Sequence, residues 1–474
     1  MKSRKLFQTD RGNAARPRRR FPLFLLAIVG LGLAVLLFRN AWLPGPPPTA
    51  ELLLTPTAIG RNTELIVRVT EPKRGISRIR VVLSQGDREW VLWEEALQLE
   101  GNLLSLSTGP KVLDRKVLVG AALAPGLQEG SAFLRATAWG APSWLRSSRE
   151  AVVTLEAPVL LKPPALEVLS QQHHAAAGGA EAVVYRVGPT SIRDGVEVGD
   201  WFFPGAPLDP SNSETRFALF GIPWELTDAQ EVRLVAQDAA GNLSSKAFLD
   251  TLRVETVPLE SVHLKPFFLE RINREILERE ADSQPTGDPL QDFLWINREL
   301  RKRNNEQLRE LGRESKAEFL WNEPFLALPG GKVMSRFASR RVYYFEGREV
   351  DRQTHLGFDL ASVAQAPVPA AGSGVVVFAD WLGIYGWTVV LDHGHGLMSL
   401  YAHLSELFVK KGQQIERGAL LGRTGSSGLA GGDHLHFSFL LRGLPVQPIE
   451  WWDARWISHR IGNKLGSALP RKSS

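Results

Sequence analysis

The sequence of 474 residues has no cysteine, which excludes disulfides, thiolate metal sites and a cysteine nucleophile together. Any metal must be held by His, Asp or Glu. The absence fits either redox compartment and does not locate the protein. Acidic residues are scarce at the start, where Asp10 stands against eight Lys or Arg in the first twenty residues, and the rest of the chain is nearly neutral although the whole carries +5. The basic charge therefore belongs to a tail. No nucleic-acid-binding motif accompanies it, so nucleic acid is not expected as a partner. With 44% hydrophobic and 23% charged residues the composition is that of globular domains, and the length suggests two to four of them.

Charge is also absent from Phe21 to Phe38, FPLFLLAIVGLGLAVLLF, which as a helix would span ~27 Å, close to a bilayer's hydrocarbon thickness. Arg16, Arg18, Arg19 and Arg20 precede it directly. The positive-inside rule then keeps a basic tail, 1–20, in the cytoplasm and exports everything after Asn40. A cleaved signal peptide shares this pattern, but Phe38-Arg39-Asn40-Ala41-Trp42 offers no small-x-small cleavage site. The expectation is a single-pass protein of the inner (cytoplasmic) membrane, transmembrane over 21–38, with its other domains periplasmic or otherwise extracytoplasmic. The spacer 39–49 contains Pro44-Gly45-Pro46-Pro47-Pro48, which cannot sustain a helix.

Residues 50–157 alternate short β-like runs, such as Glu64 to Val69 and Arg78 to Leu83, with turn signals, and read as a β-sandwich. After a proline-bearing break at Pro158 to Pro164, residues 163–256 form a second β-rich stretch. Its strand Glu231 to Ala236 runs into Asp238-Ala239-Ala240-Gly241-Asn242, which resembles the final hairpin of bacterial immunoglobulin-like modules. Neither module carries a catalytic constellation, and both read as spacers or binding units. His173 and His174, beside an Ala/Gly run, read as loop residues. Over 264–316 the apolar period becomes helical, with Phe268, Ile272 and Ile276 and then Ile296, Leu300, Leu308 and Leu311. A helical hairpin is expected there, broken at Ser283 to Pro289, and its place before the next domain suits it to lie against that domain's cleft as a gate.

Six of the ten histidines fall between 355 and 436. They lie in a glycine-rich background as His355-Leu-Gly-Phe-Asp359, Tyr401-Ala-His403-Leu404 and His434-Leu-His436. The run from His436 to Leu441 reads as a strand, whose period of two puts the imidazoles of His434 and His436 on one face. A hydrolytic zinc site takes three N or O ligands and keeps a fourth position open. His393 and His395 follow a strand and suggest hydrogen bonding or packing, while His263 and His459 stand outside the motifs.

Val333 to about Pro448 resembles the lysostaphin-type zinc endopeptidases, a family of glycyl-glycine and murein endopeptidases. The motifs follow in family order: Ser335-Arg336-Phe337 with Arg340-Arg341, His355-x-x-x-Asp359, Gly386, Asp392-His393-Gly394, Tyr401-Ala402-His403-Leu404, Gly425-Ser426-Ser427-Gly428 and His434-Leu435-His436-Phe437. The resemblance implies that His355, Asp359 and His436 bind Zn2+, and that His403 and His434 are unliganded catalytic histidines. It further implies a mainly β catalytic domain over 325–455 and a metalloendopeptidase acting on peptidoglycan stem or crossbridge peptides; the expected transmembrane segment makes it membrane-anchored, residues 456–474 are left as a C-terminal tail, and the two β modules become candidate wall-binding units with cell-wall proteins as candidate partners. The rim, around Arg340 to Arg352 and Tyr385 to Trp387, is expected to set specificity. The alternative is a non-enzymatic lysostaphin-like activator of a wall amidase; members of that kind usually lack the metal ligands, all of which are present here.

Overall fold

The computed structural model describes residues 21–42, 47–100, 109–142 and 148–470. The basic tail 1–20, residues 43–46 of the spacer and the last four residues lie outside them. The architecture is mainly β and divides into two compact units, Met1–Leu161 and Lys162–Ser474.

In the first unit the uncharged run begins a helix, Phe21–Trp42. The expectation for it is met as secondary structure. Among the described residues no helix is long and apolar enough to cross a membrane, and the side chains of 21–24 and 36–42 are outside the description. The sandwich expected over 50–157 consists of a three-stranded sheet, Thr49–Thr55, Thr63–Thr70 and Val112–Val119, and a four-stranded one, Arg88–Ala96, Ile76–Gln85, Gly130–Gly140 and Glu150–Val159. Alternation sends Leu65, Val67 and Val69 of one sheet and Ile79, Val81 and Leu83 of the other into a common core.

The second unit opens with two four-stranded sheets between Leu166 and Ala247. The hairpin motif explains itself locally: Asp238 Oδ1 accepts from the backbone N–H groups of Ala240 and Asn242, both at 2.9 Å, and Gly241 takes φ +86°. His173 lies in an irregular segment as expected, but it is buried, while His174 opens the short strand His174–Ala176. His173 is 2% exposed and bonds Ser170 Oγ at 2.8 Å, and burial pushes its pKa down to about 4.

A linking strand, Leu259–Leu264, runs parallel to Ser339–Phe345 and so joins the sheet of the next domain. Proline sets the first turn of the helix Pro266–Leu277. Asp288 caps the helix Pro289–Trp295, accepting from Leu290 N–H at 2.8 Å, and a π turn, Ile296–Leu300, continues it into the helix Arg301–Arg313. These helices bury Ile272, Ile276, Ile296 and Leu300 against Ile384, Leu400 and Leu440. Gly312 has no room for a β-carbon, which would stand 2.3 Å from Gly443 N.

The remaining chain builds an antiparallel sheet in the order Lys332–Ser335, Phe358–Ala361, Leu435–Leu441, Leu397–Leu404, Trp387–Asp392, Gly374–Trp381 and Gln414–Ile415. Its core is continuous with that of the preceding module, where Phe217 stacks on Phe319 with centroids 5.6 Å apart. Residues 456–474 read as a tail, yet those described are short helical turns that bury Ile457, Ile461 and Leu465. The apolar spacing of four was too brief to stand out in the sequence.

Candidate metal centre

Three strands deliver the central residues. His355 ends Arg348–His355, Asp359 lies in Phe358–Ala361, and His436 pairs directly with Asp359 from Leu435–Leu441. Gly357 makes the approach possible, because a β-carbon there would meet Ser438 Oγ at 2.4 Å and the His436 ring at 2.6 Å. His355 Nε2, His436 Nδ1 and Asp359 Oδ1 form a triangle with edges of 2.9, 2.9 and 3.0 Å. Ligands of tetrahedral zinc stand ~3.3 Å apart, so this triangle is slightly contracted from that spacing.

Hydrogen bonds fix the tautomers. Nδ1 of His355 faces the Arg336 carbonyl at 3.1 Å, which can only accept, so Nδ1 carries the proton and Nε2 a lone pair. Ser438 Oγ donates to Leu356 O at 2.7 Å and therefore accepts from Nε2 of His436 at 3.1 Å, which leaves Nδ1 with a lone pair. Two nitrogen lone pairs and a carboxylate oxygen thus converge in a buried space, an arrangement that only a cation completes. The three residues can hold a metal ion.

His403 and His434 complete the group. His403 has φ +60° beside a register shift between Leu397–Leu404 and Trp387–Asp392, a bulge that re-aims its ring. Its Nδ1–H donates to Ser427 O at 2.8 Å. Ser427 Oγ accepts from Trp387 N–H at 3.0 Å and donates to Leu404 O at 2.7 Å, and Gly386 allows the approach, since a β-carbon there would come within 2.4 Å of Ser427 Oγ. Nδ1–H of His434 donates to Gly432 O at 2.8 Å, and its Nε2 lies 3.5 Å from Asp359 Oδ1. The two rings stand 4.9 Å apart. Burial, with the neighbouring histidines, holds the pKa of His403 well below the usual value. Burial also lowers that of His434, but the hydrogen bond and charge of Asp359 outweigh it and raise the pKa overall.

All five residues named from the sequence therefore meet in one cavity of about 270 Å³. Four of them, His355, Asp359, His403 and His436, are 5–9% exposed, largely covered by other parts of the chain. The cover is the linking segment: Glu260, Val262, Phe268, Phe293 and Arg301 line the same cavity. Arg271 donates to Ala430 O at 2.7 Å, Ile384 N–H to Asn304 Oδ1 at 3.0 Å and the Tyr385 hydroxyl to Asn305 Oδ1 at 3.0 Å. Of the expected rim, Arg341 and Tyr385 are instead inside the cavity. Glu260 had no sequence signal, and Arg341 stood only as a motif letter.

The other histidines stay out of the group. His393 is buried, bonds Ser373 O and Ser399 Oγ at 2.7 Å each, and packs on Phe325. His395 sits against Phe217 and Phe319, and His263 stacks on Tyr344.

The model of peptidase family M23 matches residues 353–448. The chain carries a peptidase family M23 domain. The chain is 37% identical over 119 residues to the peptidoglycan DD-endopeptidase ShyA of Vibrio cholerae, a match covering 25% of this chain and 27% of ShyA. A shorter match, 40% identical over 84 residues, covers 18% of this chain and 20% of the murein hydrolase activator EnvC of Escherichia coli. The chain thus spans only about a quarter of the length of these curated relatives. Among solved structures, the catalytic domain of lysostaphin from Staphylococcus simulans is 23% identical, with 30% of this chain and 96% of that one covered and a TM-score of 0.20.

Proposed function

We propose that the chain is a membrane-anchored zinc metalloendopeptidase that hydrolyses amide bonds in the stem or crossbridge peptides of peptidoglycan. The observation that carries this reading is the convergence of three lone-pair donors with two further histidines in one cavity of the M23 domain. His355, Asp359 and His436 would hold the ion, which when bound supplies polarisation of the scissile carbonyl and a more acidic water. The unprotonated Nε2 of His403 would take a proton from the attacking water, and Nε2–H of His434, beside Asp359 Oδ1, would donate to the developing oxyanion. A thin, flexible peptide would be the substrate that a groove between glycine-rich loops admits, and most folded proteins would be excluded.

The helix Phe21–Trp42 would anchor the chain in the inner membrane with the M23 domain on the side where peptidoglycan lies. The β modules, the second immunoglobulin-like in kind, would serve as spacers or as surfaces for the wall and its proteins. The likeness to EnvC supports a second reading, activation of a separate amidase, and the complete donor set speaks against it.

The test uses the full chain and a His436→Ala variant, each with and without zinc, on purified peptidoglycan, with released muropeptides identified by mass spectrometry. Zinc-dependent loss of crosslinked dimers, absent in the variant, is the expected result and names the bond. No cleavage by the metal-loaded chain, together with stimulation of an added amidase, would favour the activator.

A further inference from the structure

The linking strand Leu259–Leu264 touches the metal centre through one carboxylate. Arg341 lies between two acids: its Nη2 donates to Asp359 Oδ2 at 2.6 Å and its Nε to Glu260 Oε2 at 3.1 Å. Asp359 therefore turns Oδ1 to the histidines and has Oδ2 occupied, which fixes it as a one-oxygen ligand. A second branch runs through Ser335. Its hydroxyl donates to Glu260 at 2.8 Å and accepts from the proton-bearing Nδ1 of His355 at 3.1 Å. Glu260 thus reaches two of the three donors through one intermediary each. It also offsets the Arg341 cation, which alone would repel a divalent ion a few ångströms away. Glu260 lies outside the M23 match, on a strand that leads into the helices covering the cavity.

We propose that Glu260 is a positioning residue for the metal centre, orienting Asp359 through Arg341 and His355 through Ser335, so that docking of the linking strand and tight metal binding are coupled. This rests on the metal reading of the site. Outer-shell partners of this kind change metal affinity by about 10–100-fold. Linkage is reciprocal, so metal binding tightens the docked strand by the factor by which the docked strand tightens metal binding.

The full chain and its Glu260→Gln, Arg341→Gln and Arg341→Lys variants would be titrated with zinc against a chelator, and the cobalt-substituted forms compared by absorption. Hydrogen exchange over 259–264 would be followed with and without zinc. The expected result is zinc binding about 10–100-fold weaker in Glu260→Gln and Arg341→Gln, with Arg341→Lys between them and the parent. The cobalt bands should shift, and zinc should slow exchange of the strand in the parent but not in Glu260→Gln. Glu260 is partly exposed, so its isosteric variant decides the matter if Arg341→Gln fails to fold. A folded Glu260→Gln chain that binds zinc within twofold of the parent, or strand exchange in the parent that ignores zinc, overturns the proposal. A parent that binds no zinc overturns the metal reading with it; a parent that binds zinc as its variants do overturns this inference alone.

Discussion

At the scale of single residues, the proposed function separates groups that would hold the metal from groups that would react. His403 bonds a backbone carbonyl through Nδ1 and leaves Nε2 free, so His403→Ala should lower kcat by about 10²–10⁴ while zinc content, read by elemental analysis, stays at one per chain. Asp359→Asn should lose the metal as well. Gly357 shows that an apolar-looking gap in a motif is a steric requirement. The β-carbon of Gly357→Ala would push on His436 and Ser438 at a cost of about 1–3 kcal/mol, and chelator competition should show weakened zinc binding beside a lowered Tm. A variant with unchanged affinity would mean the strands Arg348–His355 and Leu435–Leu441 can part without disturbing the triangle.

Among elements, the helices Pro266–Leu277 and Arg301–Arg313 each contribute a residue, Phe268 and Arg301, to the lining of the cavity. They were legible as helices from their four-residue apolar spacing, and their buried stripe packs on the M23 domain as such a stripe must. Their place over the cavity was only a possibility in the sequence. The polar clasp to Ile384 and Tyr385 is the part that can be loosened without emptying the core. Replacing both Asn304 and Asn305 by Ala removes two acceptors, and kcat/KM on soluble muropeptides should rise several-fold relative to the parent. A fall in rate with unaltered folding would show that the helices build the groove and do not block it.

For the molecule as a whole, the second unit is closed by a charged seam between the module at 163–256 and the C-terminal turns. Glu181 is fully buried and pairs with Lys464 Nζ at 2.8 Å, while Glu450 accepts from Ala180 N–H at 2.8 Å. Burial pushes the Glu450 pKa up to about 8 from the usual 4.5, with the charge of Glu181 acting in the same sense. A carboxyl raised in the folded state contributes stability that is full below pH ~4.5 and is lost as pH rises through about 8. The Tm of the full chain should therefore fall across that window, and Glu450→Gln should flatten the fall; an identical pH profile in the variant would remove this group from the account. At the same scale, the full chain should partition with membranes and a chain lacking residues 1–42 should not, as read by fractionation.

The sequence by itself determined what depends on short range. Apolar alternation made the strands of both modules, the helical period made the linking helices, and resemblance to the lysostaphin-type endopeptidases named the five residues of the site. A period of two was enough to put His434 and His436 on one face. Only the tertiary structure decided that the module at 163–256, the linking helices and the M23 domain share one unit, that His173 and the turns after Trp456 are core, and that Glu260 reaches the centre through Arg341 and Ser335. The physical reason is separation along the chain: Glu260 is some eighty residues from Arg341 and about a hundred from Asp359, and no local pattern encodes a contact that exists only because a parallel strand is laid beside Ser339–Phe345.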